Sequence, residues 1–235
     1  MSRLARCALV LASFVLALTA AMTEADAKRP GKRANKRHGH ARNMPPGWTW
    51  PPSPAMRAEG EACLKRLDAL GVAWRPAPAT RKVSTPIYVP DMVLGGVALV
   101  PIGRKGPQVM DCQLARALAD GAGAALTAAG VKALRFSSIH VYRTIAHTRI
   151  LSRHALGLAM DVYEIVDAEG VVHVVKRAYP DAILLEAERR VNESGAFRGL
   201  LTPGNDPRRH DDHFHFEARS PSEKRPVETP PAPPP

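Results

Sequence analysis

Apolar residues recur at helical spacing at Cys63, Leu64, Leu67 and Leu70, which predicts a helix over Pro54–Leu70 with Ser53 as cap and Gly71 as stop. An alanine-rich stretch from Asp111 to Ala129 predicts a second helix, capped by Asp111 and ended by Gly130. Its many small residues imply close packing against a neighbour. Pro180–Ser194 predicts a third, with Pro180 in its first turn and Gly195 at its end. Alternating or short apolar runs predict strands at Ile87–Pro90, Val97–Ile102, Leu134–Arg143, Ala196–Leu201 and Asp212–Ala218. Ala159–Val166 and Val171–Val175 form a hairpin around Asp167-Ala168-Glu169-Gly170. Helices and strands interleave, but most strand connections are too short for crossovers. The pattern predicts an α+β fold with a small, mostly antiparallel sheet and flanking helices.

Composition places this domain at residues 55–218. Residues 28–54 combine a basic run with prolines, a mixture that cannot bury a core and reads as a disordered linker. Residues 219–235 are proline-rich and read as a disordered tail. The formal charge is +11, from 33 basic and 22 acidic residues. Much of the excess sits in residues 28–42, where Lys28, Arg29, Lys32, Arg33, Lys36, Arg37 and Arg42 meet no acid. That distribution suits an anionic envelope surface better than a basic groove on a folded domain, and nucleic acid is not the expected partner.

Residues 1–27 read as a secretory signal: Arg3 and Arg6, an apolar run from Cys7 to Met22, then Ala25-Asp26-Ala27. The run is shorter than the roughly 20 residues that span a bilayer. Export to the periplasm or the extracellular space is expected, with no transmembrane segment after cleavage. Two cysteines then remain, Cys63 and Cys112. They form either a disulfide, worth on the order of 3–4 kcal/mol, or a pair of buried thiols. A nucleophilic role is disfavoured, because neither has a histidine near it in sequence.

Two stretches carry the chemistry. Ser152–Asp161 reads S-R-H-A-L-G-L-A-M-D, and His210–Glu217 reads H-D-D-H-F-H-F-E. His154 and Asp161 are metal-ligand types, yet in regular structure they stand too far apart for one ion, roughly 23 Å on a strand or 10.5 Å on a helix. The chain must reverse between them, and Gly157 permits it. His213 and His215 share one face of a strand, with Phe214 and Phe216 on the other. Three protein ligands with an open position is the pattern of a catalytic zinc site.

The first stretch is similar to the S-x-H-x-x-G-x-A-x-D motif of D-Ala-D-Ala carboxypeptidases, and the second resembles the H-x-x-H-x-H of penicillin-insensitive murein endopeptidases. With Cys63-Leu64-Lys65-Arg66-Leu67, Met110-Asp111-Cys112 and Val141-Tyr142-Arg143, the domain resembles the bacterial extensin-like C-terminal family. The resemblance implies a zinc-peptidase architecture with His154, Asp161 and His215 as zinc ligands. It implies catalytic or supporting roles for His210 and His213, and support of the substrate carbonyl by Arg143. For Arg143 the alternative is an ordinary surface charge. Ser152 either caps the turn or hydrogen-bonds the site. The carboxypeptidases place a glutamate three residues before the last zinc histidine. Here that position holds Asp212, so Asp212, His213 and His210 are all candidate bases. The expected activity is zinc-dependent hydrolysis of peptidoglycan stem or crosslink peptides. The alternative is a non-catalytic, peptidoglycan-binding envelope protein on the same scaffold.

Overall fold

A computed structural model describes residues 43–103 and 106–223. The expected signal, the basic run over residues 28–42 and residues 224–235 lie outside the described residues.

The fold is mixed α+β. Helix α1 (Pro54–Ala69) starts as its sequence dictates: the Ser53 hydroxyl accepts the Met56 N–H and Pro54 needs no donor partner. It buries Met56, Gly60, Cys63 and Leu67. Short strands β1 (Arg75–Pro76), β2 (Pro86–Tyr88) and β5 (Met110–Asp111) form a three-stranded sheet. Between them in sequence, β3 (Val93–Leu94) and β4 (Val97–Pro101) belong to a seven-stranded sheet with β6 (Val131–Ser138), β7 (Ala159–Asp167), β8 (Val172–Val174), β9 (Phe197–Leu201) and β10 (Phe214–Ala218). Its order is β3-β4-β6-β7-β10-β9, with β8 paired to β7 as the expected hairpin. All its pairs are antiparallel except β4 with β6. The connection between those two is long enough to cross over, carrying β5 and the helices α2 (Cys112–Ala117) and α3 (Gly123–Ala128).

Several boundaries differ from those read in the pattern. The helix expected over Asp111–Ala129 is interrupted by a π-helical turn at Leu118–Ala122. Just after this turn the helix passes close to the β3–β4 hairpin: a Cβ on Gly123 would lie 2.5 Å from the Gly95 Cα. Strand β6 ends at Ser138 and does not reach Arg143, because Ile139 turns into the core and breaks the alternation. Pro180 precedes the last helix, α5 (Ala182–Ser194), whose cap is Asp181. A single turn, α4 (Val175–Ala178), lies just before it.

The folded part also extends beyond residues 55–218. Met44 and Trp48 pack against the core, and the Trp48 indole donates to the Lys82 carbonyl. At the other end Ser220 is buried, and the Arg219 guanidinium donates to the Phe197 carbonyl. A proline-rich composition hid these anchors, since one tryptophan supplies as much burial as several small residues.

Cys63 and Cys112 are bridged, joining α1 to the start of α2 across 49 residues. Gly157 sits at a φ of +68°, and a Cβ there would lie 2.8 Å from the Asp111 backbone nitrogen. That nitrogen donates to the Gly157 carbonyl. Reduction of the Cys63–Cys112 bridge is expected to lower stability by about 4 kcal/mol, read as a drop in the denaturant midpoint with a larger m-value as the unfolded chain expands. Gly157→Ala combines a positive φ with a backbone contact. It is expected to cost about 1–3 kcal/mol in the same measurement, and an unchanged midpoint would show that the turn is not under this constraint.

Candidate metal centre

Strand register assembles the centre. His215 on β10 pairs opposite Asp161 on β7, and Ser138 on β6 pairs with Asp161 from the other side. The β6–β7 ladder slips between Phe136 and Ser138, a bulge of the kind that re-aims side chains beside sites. Alternation on β7 sends Met160 and Val162 into the core, both fully buried, and turns Asp161 the other way. On β10, Phe214 and Phe216 hold the strand to the core.

His154 arrives by the turn. Arg153–Leu156 form one 3₁₀ turn, Ser152 accepts the His154 N–H at 3.3 Å, and Gly157 reverses the chain in the left-handed conformation. Ser152 therefore caps the turn. His154 Nε2 then lies 3.0 Å from Asp161 Oδ1 and 3.3 Å from His215 Nδ1, and the last two atoms are 2.7 Å apart. The chain reversal expected at Gly157 is present, and His154, Asp161 and His215 meet in one buried group.

The proton inventory says what this group can hold. His154 Nδ1 lies 2.9 Å from the Ile139 carbonyl, which can only accept, so Nδ1 donates and Nε2 carries a lone pair. His215 Nε2 lies 3.3 Å from Glu217 Oε1 and donates to it, which leaves Nδ1 to face inward. Asp161 Oδ1 completes the triangle, while its Oδ2 accepts from Ser138 Oγ and Arg143 Nη2, each at 3.3 Å. Three such atoms within 2.7–3.3 Å need positive charge among them: a proton on His215 Nδ1, donated to Asp161 Oδ1, or a cation in the place of that proton. Bonds of about 2.0–2.1 Å to a tetrahedral ion set ligand atoms about 3.3 Å apart. The donor set therefore fits a divalent cation.

Titration carries the same field. Burial pushes the Asp161 carboxyl up, but hydrogen bonds and charge from His154 and His215 outweigh it and hold Asp161 far below the usual carboxylate range. Burial lowers the His215 imidazole, and Asp161 and Glu217 more than reverse this, to about 9. Glu217 is raised by burial and lowered further by His215, Arg153 and Arg198, to about 2.

His213 and His210 stand beside the triangle. His213 Nδ1 lies 2.7 Å from Asp212 Oδ1, and its Nε2 is 3.5 Å from Asp161 Oδ1. Its ring stacks on Tyr163 at 5.0 Å. His210 Nδ1 bonds Asp206 at 2.9 Å, and its ring lies about 5 Å from those of His213 and His215. Burial lowers the His210 pKa, and nearby His215 adds to the shift. His210, His213 and His215 themselves form a second cluster with ligand spacing. Arg143 sits in the irregular segment after β6, half exposed, with its guanidinium over Asp161.

His154, Asp161, His215, His210, His213 and Arg143 border one cleft of about 520 Å³, whose rim also carries His147, Arg208 and Arg209. Sequence reasoning missed Ser138, Tyr163 and Glu217. Ser138 depends on a bulge and left no signal. Tyr163 and Glu217 did leave one, each two residues beyond a recognised ligand on the same strand face.

A family described as the extensin-like protein C-terminus matches residues 61–226. No curated protein and no solved structure matches the chain. The family match covers the disulfide, the Ser152–Asp161 turn and the His210–Glu217 strand together. The chain belongs to the extensin-like C-terminal domain family.

Proposed function

We propose that this protein is a zinc-dependent peptidase that hydrolyses stem or crosslink peptides of peptidoglycan in the cell envelope. The observation that carries the proposal is the convergence of His154 Nε2, Asp161 Oδ1 and His215 Nδ1 at the floor of an open cleft, with a histidine–aspartate pair beside them. The S-x-H-x-x-G-x-A-x-D spacing and the closing H-x-x-H-x-H resemble zinc peptidases that act on such peptides. The bridge between Cys63 and Cys112 suits an oxidising compartment, the periplasm or beyond. The basic residues 28–42 would keep the domain near an anionic envelope surface.

His154, Asp161 and His215 would hold the zinc, which would polarise a scissile carbonyl and lower the pKa of a bound water toward about 7. Asp212 accepts from His213 Nδ1 and so presents His213 Nε2, the lone-pair nitrogen, to the cleft. His213 is thus the proton acceptor and Asp212 its orienting partner. The pair supports a histidine base in place of the missing glutamate. Arg143 reaches over Asp161 from the rim and supports negative charge developing on the carbonyl oxygen. His210, oriented by Asp206, stands where a leaving amine can take a proton. Arg208 and Arg209 on the rim favour peptides that carry free carboxylates.

Purified peptidoglycan incubated with the protein is expected to release muropeptides, and a chelator is expected to stop the release. Retained binding without release, with metal supplied, would assign the protein as a non-catalytic wall-binding module. His154→Ala is expected to lose stoichiometric zinc in metal analysis. His213→Ala is expected to keep its zinc while kcat falls by about 10²- to 10⁴-fold. An unchanged kcat would remove His213 from the mechanism.

A further inference from the structure

We infer that Glu217 and Glu223 are positioning residues for the metal-binding imidazole of His215, and that the segment after the last strand, Arg219–Glu223, is part of the centre. The inference rests on the metal reading above and adds residues to it.

Glu217 follows His215 by two on β10 and shares its face. Its Oε1 takes the His215 Nε2 proton at 3.3 Å, which fixes the tautomer that turns Nδ1 inward. Its Oε2 pairs with Arg198 Nη1 at 2.5 Å. The same guanidinium reaches Glu223 Oε1 through Nε at 3.2 Å. Glu223 in turn holds Arg153 with both carboxylate oxygens, one of them 3.0 Å from Nη1. The Arg153 side chain is wholly buried, so its charge needs this partner. Arg153 immediately precedes His154 in the 3₁₀ turn.

A line of alternating charge therefore runs from behind His215 through Glu217, Arg198 and Glu223 to Arg153, next to the other imidazole. Glu223 is fastened where it acts: its carboxylate accepts the Ser220 N–H at 3.0 Å, and its own N–H donates to the Ser220 carbonyl at 2.9 Å. One short segment thus clamps the turn that carries His154 to the strands that carry His215 and Arg198. Its position after the last strand is why a proline-rich tail concealed it.

The test uses the full chain with Glu217→Ala, Glu217→Gln and Glu223→Gln. Zinc affinity is read by competition with a chromophoric chelator, the ligand field by the absorption spectrum of the cobalt(II)-substituted protein, and the scaffold by the unfolding midpoint in excess chelator. Glu217→Ala is expected to weaken zinc binding 10- to 100-fold and to shift the cobalt spectrum. Glu217→Gln keeps an acceptor oxygen toward Nε2 and is expected to recover most of the loss. Glu223→Gln keeps the shape, removes the charge, and is expected to weaken zinc binding to an intermediate degree. Parental affinity and spectrum in Glu217→Ala would overturn the inference and leave the metal reading intact. So would an affinity loss that merely tracks a lowered midpoint and is not rescued by glutamine. A parent chain that takes up no zinc would overturn both.

Discussion

The centre depends on a buried carboxylate held between two imidazoles. Asp161 is 3% exposed, and an isolated carboxylate at that depth would be strongly disfavoured. His154 and His215 compensate it on one oxygen, and Ser138 and Arg143 on the other. Each of those four reaches Asp161 through a different backbone device: a left-handed glycine, an antiparallel register, a bulge and an irregular loop. Arrangements of this kind are high-stakes, because a partly satisfied buried network is worse than an apolar one.

The rest of the scaffold is fastened to the same point from the far side. Asp111 caps α2 and receives the N–H groups of Ser84, Thr85 and Gln113 on its carboxylate. Burial raises its pKa to about 6 even so, with the three backbone donors opposing the rise. Its own backbone nitrogen donates to Gly157, and the next residue is the bridged Cys112. The first half of the domain thus buttresses the turn that delivers His154.

Much of the centre was legible because short-range rules govern it. The period of two separates Asp161 from Met160 and Val162 on β7 and His215 from the phenylalanines on β10, although the strand begins at Phe214, after His213, and not at Asp212 as expected. The distance argument forces a reversal at Gly157 whatever the rest of the fold does. The rest was set by contacts between distant segments. The close approach of Gly123 to Gly95 joins residues far apart in sequence, and no local pattern shows it. The parallel pairing of β4 with β6 needs a crossover whose helices were recognised but whose direction no local pattern encodes. At the two ends, composition averaged over Trp48, Arg219 and Glu223 and lost three anchors among prolines. The alternation that sets His213 and His215 apart from the phenylalanines continues to Glu217.

The strand order has a bearing on how the protein is made. β10 lies between β7 and β9, so the last strand synthesised is inserted into the interior of the sheet and not added to its edge. His154 meets His215 across 61 residues, and Arg153 meets Glu223 across 70. A chain emerging in order has His154 and Asp161 without His215, and an open slot between two strands, until β10 arrives. Long-range closure of this sort is slow compared with helix formation. The centre is therefore complete only when the whole domain is, and a truncated or unfinished chain presents a gap in its sheet where the finished one presents a cleft.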